Sequence, residues 1–124
     1  MRVNTRKSQP SFSTPNAVIT PLATLKFGAE QVSVIHQKMQ RGCKNPTHTQ
    51  STEEVMVLLR GSVTVTVAEK SVTLQEGDTL IVPADTPHSI DNGSCDTAEW
   101  IIISPTNMQF KDAAGNLMTP PWAE

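Results

Sequence analysis

The sequence predicts an all-β chain folded as a sandwich or barrel, and three observations carry that reading. Apolar and polar residues alternate with a period of two over several short stretches. Turn-forming residues interrupt these stretches at about ten-residue spacing. Helical periodicity is missing apart from one turn expected near Ser51–Val55, so little helix is predicted.

The elements follow in chain order. Residues 1–18 hold Asn, Thr, Ser and Gln with Pro10 and Pro15, which reads as an extended polar N-terminal arm. A single domain is expected over residues 19–124, and alternation begins from Pro21. Val32 and Val34 fall on one face of a strand, Gln31 and Ser33 on the other. Val63, Val65 and Val67 alternate with Ser62, Thr64, Thr66 and Ala68. Val72 and Leu74 continue the pattern after a turn at Ala68–Ser71. Glu54–Leu59, Thr79–Val82 and Trp100–Ile103 are nearly continuous apolar runs; the first two are expected to be strands covered on both faces. Arg60-Gly61-Ser62, Glu76-Gly77-Asp78 and Asp91-Asn92-Gly93-Ser94 supply the turn chemistry. The tail 105–124, with Pro120-Pro121-Trp122, reads as a surface strap. Trp122 is expected to fill a groove on the barrel or on a neighbouring subunit.

Composition narrows the function. The chain has 124 residues, enough for one hydrophobic core. Ten Lys+Arg against twelve Asp+Glu give a net charge of -2, with no basic excess to grip a phosphate backbone; a nucleic-acid partner is not expected. No apolar run reaches the roughly 18 residues of a membrane helix, so no membrane partner is expected. The first eight residues are polar with no apolar stretch behind them, which points to the cytoplasm rather than to secretion. Cys43 and Cys95 form no CxxC pair and read as free thiols.

The chemistry lies in two segments. The first runs from Gly42 to Gly61 and holds His48, Gln50 and Glu54; residues two apart on a strand share a face, so His48 and Gln50 point the same way. The second runs from Gly77 to Asn92 and places His88 after a tight loop containing Pro83 and Pro87. Together they resemble the two motifs of the cupin superfamily. The first family motif is Gly, five residues, His-x-His, three or four residues, Glu, six residues, Gly. Gly42, His48, Glu54 and Gly61 fall in register, with Gln50 where the second His is expected. The second motif is Gly, five residues, Pro-x-Gly, two residues, His, three residues, Asn. Gly77, Pro83, His88 and Asn92 fit, with Asp85 where the Gly is expected.

The resemblance implies a small single-domain jelly-roll β-barrel, also described as a double-stranded β-helix. It implies a metal held inside by His48, Glu54 and His88, with Gln50 at the variant place. Two imidazoles and a carboxylate resemble a facial triad suited to Fe(II). With Gln50 as a fourth donor, the mixed set suits one divalent transition ion among Fe, Mn, Zn or Ni. Gln50 turned away would instead hydrogen-bond a substrate oxygen. Because ligation needs neutral imidazoles, metal affinity is expected to fall as pH drops through about 6.5.

Two functions remain open. One is a small metalloenzyme acting on a small organic molecule, of dioxygenase, isomerase, lyase or cyclase type. The other is a non-catalytic cupin that binds a sugar or an organic acid. His36 shares a face with Val32 and Val34, which points it inward as a candidate general acid or base; the alternative is a structural histidine. Met39, Met56 and Trp100 read as core, Asn92 as a turn-fixing side chain, and Glu53 as a solvated carboxylate or a partner of Arg60. Exposed sheet edges and the arm predict a homodimer by strand exchange or sheet extension.

Overall fold

The computed structural model describes all residues, 1–124. Twelve strands form: β1 (Phe12–Ser13), β2 (Val18–Ala23), β3 (Val32–Met39), β4 (His48–Gln50), β5 (Glu54–Arg60), β6 (Val63–Val67), β7 (Lys70–Leu74), β8 (Thr79–Val82), β9 (His88–Asp91), β10 (Ala98–Pro105), β11 (Phe110–Asp112) and β12 (Leu117–Met118). They build two six-stranded sheets, in the orders β1-β2-β3-β10-β5-β8 and β12-β11-β4-β9-β6-β7. Every pairing is antiparallel. The chain crosses repeatedly from one sheet to the other, so the central neighbours β3-β10, β10-β5, β5-β8, β4-β9 and β9-β6 are distant in sequence, as in a jelly roll.

Alternation does the work in each element. The inner face of β5 carries Met56 and Leu58, that of β6 carries Val63 and Val65, and that of β10 carries Trp100 and Ile102. These close one core, in which Met39, Leu58 and Trp100 are wholly buried. Burying side chains of this size contributes about 1.5–3 kcal/mol each. At one end of the barrel the core gives way to polar inward residues, and the site lies there.

Turns follow local chemistry. Ala68 and Glu69 both take positive φ, 48° and 72°, so β6 and β7 are joined by a two-residue turn of the handedness that matches strand twist. Gly61 has φ 81°, and a Cβ there would stand 2.7 Å from the Thr97 carbonyl oxygen; that approach is open only to glycine. Asn92 is wholly buried and donates to the carbonyls of Met39 and Asp96 at 3.1 and 2.9 Å, pinning the turn between β9 and β10 as expected.

Four sequence expectations are corrected. Residues 1–18 are not a free arm: β1 pairs with β2, Gln9 is buried and donates to the Pro21 carbonyl at 2.8 Å, and Asn4 donates to the Leu22 and Phe27 carbonyls. Side-chain amides give a polar segment enough hydrogen bonds to dock without a hydrophobic face. The tail from Pro105 is more than a strap, since β11 and β12 extend the second sheet beyond β4. Ser51–Val55 forms no helical turn; the short 3-10 turns lie at Leu25–Phe27 and Pro121–Ala123. Finally, β8 is an edge strand, not one covered on both faces, and Ile81 is 59% exposed.

Candidate functional site

β4 and β9 lie side by side, with His48 and His88 as Cα partners. Each histidine stands two residues after a carbonyl that accepts from its ring. His48 Nδ1 lies 3.1 Å from the Pro46 oxygen, and His88 Nδ1 lies 2.9 Å from the Thr86 oxygen. A carbonyl can only accept, so Nδ1 carries the proton and Nε2 is left with a free lone pair. The rings are 4.3 Å apart between centroids and tilted by 54°. His88 is 2% exposed, and its Nε2 is buried with no hydrogen-bond partner.

Gln50 ends β4 and Glu54 begins β5; both are buried. The Gln50 side-chain amide donates to the Glu54 carboxylate. Gln50 Oε1 is buried and has no partner. The Gln50 backbone carbonyl accepts from the Asp85 N–H at 2.7 Å, which ties the loop before β9 to the end of β4. Asp85 occupies the place where the family motif has glycine, and its φ is 56°. The left-handed conformation survives because aspartate is among the few side chains that tolerate it.

Burial sets the protonation of these groups. It pushes Glu54 up to about 7, against the lowering effect of the Gln50 hydrogen bond. It pushes His88 down to about 4, outweighing the raising effect of the Thr86 carbonyl, with His48 lowering it a little further. His48 is also lowered by burial, against the Pro46 carbonyl. Both imidazoles are therefore neutral at pH 7.

His48, Gln50, Glu54 and His88 all line one inner cavity of about 30 Å³. A single water needs roughly 10–15 Å³ of such space, so the cavity has the size of one ion or water. It shares Gln37, Asn45, His48, Phe110 and Trp122 with an outer chamber of about 460 Å³. The strap forms much of that outer wall through Phe110, Met118 and Trp122. Trp122 thus fills a groove on its own barrel, packing against Ala17, Ile19 and Ile35.

The donors fit a divalent ion in kind. Two neutral imidazoles, an amide and a carboxylate line one ion-sized space, two of their acceptors, His88 Nε2 and Gln50 Oε1, are buried without partners, and a buried unpartnered acceptor is costly without a ligand. They do not form a closed cluster, however: no three His, Cys, Asp or Glu side chains converge to metal-holding distance.

His36 is not inside, and the inward expectation is corrected. Its outer-face neighbour Val32 is 53% exposed. Its Nε2 lies 3.2 Å from Glu99 Oε1, and Arg60 Nη1 lies 3.5 Å from Glu99 Oε2. Burial lowers its pKa, and Arg6 and Lys38 push the same way against Glu99. Arg60 also reaches Asp96, at 3.4 Å; Glu53 is exposed. The inward position on β3 belongs to Gln37, which is buried and lines both cavities. Sequence reasoning missed Gln37 and Asn45. The parity shared by Gln37 with the core residue Met39 was the available signal.

The family model described as "Cupin domain" matches residues 35–104. Among solved structures, the polyketide cyclase RemF from Streptomyces resistomycificus superposes with a TM-score of 0.78 at 17% identity, covering 98% of this chain and 90% of its own. An oxalate decarboxylase from Lactobacillus farciminis gives 0.73 at 17% identity, covering 78% of this chain and 31% of its own. A salicylate 1,2-dioxygenase from Pseudoaminobacter salicylatoxidans gives 0.72 at 16%, covering 86% and 31%. The chain thus spans about a third of the latter two proteins. At these identities the likeness is one of fold. A search of curated proteins finds no match to the sequence.

Proposed function

The chain belongs to the cupin domain family, and from that premise we propose that it is a metal-dependent cupin enzyme acting on a small organic molecule, with His48, Gln50, Glu54 and His88 holding one divalent transition ion. The observation that carries this reading is the pair of buried, unpartnered acceptors, His88 Nε2 and Gln50 Oε1, in a cavity that also touches His48 and Glu54. When bound, such an ion polarises a substrate carbonyl or carboxylate, or activates dioxygen. The protein's own groups orient and shield. The Pro46 and Thr86 carbonyls fix both ring tautomers, while Phe110 and Trp122 screen the inner cavity from water. Glu54 holds or releases a proton near neutrality.

A second reading is favoured by one observation. The Gln50 amide already satisfies the Glu54 carboxylate without a cation, and no three-ligand cluster exists. That arrangement suits a non-catalytic cupin that binds its small molecule without metal. Elemental analysis of untagged protein separates the two. Stoichiometric Fe, Mn, Zn or Ni, lost in His48→Ala and His88→Ala, supports the enzyme; metal-free protein after growth and refolding with each ion rules it out.

The protein is further proposed to act as a homodimer in the cytoplasm. The open β8 edge and its exposed Ile81 support pairing with a second copy. The free thiols of Cys43 and Cys95 suit a reducing compartment.

A further inference from the structure

Five residues line both the inner cavity and the outer chamber: Gln37, Asn45, His48, Phe110 and Trp122. They form the neck where the two spaces meet, so a ligand that rests in the outer chamber and reaches toward His48 passes them. Phe110 and Trp122 make part of this neck apolar. Its side-chain amides are Gln37 and Asn45.

Gln37 is 9% exposed, and neither end of its amide is hydrogen-bonded within the protein. Its Oε1 is wholly buried, so the accessible end is the donor, Nε2. That orientation is the less costly one, because an unpartnered buried carbonyl is tolerated more readily than an unpartnered buried N–H. The backbone beneath it is held on both sides, since Gln37 pairs with Ile19 on β2 and with Trp100 on β10. Asn45 is held by its backbone N–H, which donates to the Ile90 carbonyl at 2.9 Å, and its side-chain amide has no partner in the protein. A donor that loses its water to an entering ligand and meets no acceptor costs about 1–3 kcal/mol. A ligand with an oxygen at that place avoids the cost, and sites of this kind reject analogues that lack it.

We propose that Gln37 is a specificity-determining residue whose Nε2 donates to an acceptor oxygen of the ligand, carried by a ketone or a carboxylate, with Asn45 as a second donor at the neck. Amide N–H groups serve either carrier of that oxygen. This rests on the small-molecule reading of the site given above, but not on the metal.

The test uses the full chain, before and after chelator treatment, titrated at pH 7 with three probes. Acetophenone offers a ketone oxygen and benzoate a carboxylate. The third, α-methylstyrene, has the shape of acetophenone with a methylene in place of the oxygen. Calorimetry gives the affinities, and the side-chain amide resonances of Gln37 in isotope-labelled wild-type protein report the contact. Gln37→Leu keeps the size and removes the donor. It is expected to weaken acetophenone or benzoate by about tenfold and α-methylstyrene by less than about twofold. Selective loss for acetophenone assigns a ketone, for benzoate an acid, and for both, either carrier. The Gln37 amide protons should move downfield with the same probe and not with α-methylstyrene, a readout that holds even if the variant fails to fold. Asn45→Leu should weaken that probe by about threefold. Equal effects of Gln37→Leu on all three probes, unmoved Gln37 amide protons, or no binding of any probe at millimolar concentration would each overturn the proposal. Gln37-dependent binding in a protein that takes up no metal leaves this inference standing and sinks the metal reading alone. Metal uptake with probe affinities independent of Gln37 does the reverse.

Discussion

The Gln50 side-chain amide donates to the carboxylate of Glu54, so two of the four inward donors engage each other. The other two, His48 and His88, face one another in register with their Nε2 atoms uncommitted to the backbone. The variant glutamine therefore has a structural consequence as well as a chemical one. It gives the buried carboxylate a neutral partner where the family motif supplies an imidazole.

Replacing Gln50 by His removes that partner and adds a nitrogen donor. Gln50→His is expected to tighten divalent-metal binding by about tenfold or more, worth about 1.4 kcal/mol, and to shift the preferred ion. Competition with a metallochromic chelator measures both. An unchanged affinity and preference would show that the side chain at position 50 does not touch the ion.

Metal affinity should fall with pH, and the structure moves the group responsible. His88 stays neutral down to about 4, whereas Glu54 is pushed up to about 7. Below pH 7 the carboxylate must lose a proton before it can ligate, so affinity should drop by up to about tenfold per pH unit between pH 7 and 5. Glu54→Gln should bind more weakly at pH 7.5 but lose most of this dependence. An equally steep fall in that variant would return the effect to the imidazoles.

In the metal-free protein the burial effects on Glu54 and His88 oppose each other, and the lowered His48 and His36 add to the His88 side, so stability should rise gently with pH between about 4.5 and 6.5. The raised Glu54 contributes stability below its ordinary value of 4.5, and this is lost as pH rises through about 7. The depressed His88 contributes stability above 6.5, and this is lost as pH falls through about 4. Glu54→Gln should therefore become more stable as pH rises from 4 to 6.5, with a slope of up to about 1.4 kcal/mol per unit. His88→Gln should lose stability from 4.5 to 7. Urea midpoints across pH 4.5–7.5 decide; two variants with the same slope would contradict the assignment.

Asp85 tests the loop that positions His88. Its φ of 56° suits glycine, tolerates aspartate and strains a β-branched side chain. Asp85→Gly is expected to lie within about 1 kcal/mol of the parent and Asp85→Val to cost about 1–3 kcal/mol, read as shifts in thermal midpoint. Equal stability of the two variants would mean that the loop relaxes out of the left-handed conformation.

The oligomer can be read directly. Light scattering at micromolar concentration should give twice the 13.5 kDa chain mass. Ile81→Lys, on the exposed β8 edge, should shift the protein toward monomer. A monomeric wild-type mass would refute the dimer.

Local residue properties were enough to place the strands and turns around the site. Alternation at Val63–Val67 and the positive-φ glycines at 42, 61 and 77 are local properties, set by side-chain period and backbone sterics. The motif spacing also anticipated that His48 and Glu54 would meet His88: β4 pairs with β9, and Glu54 reaches the same cavity from β5 in the facing sheet. Which face turns inward, and what encloses the site, came from the assembled fold. Alternation on β3 gives two faces but not which one meets the opposite sheet. The more apolar end, Val32 and Val34, turned outward with His36, and Gln37 turned in. Likewise, nothing local in Phe110 or Trp122 says that the two close over His48. That depends on the second sheet extending through β11 and β12, a long-range pairing whose stability comes from the assembled barrel rather than from either segment alone.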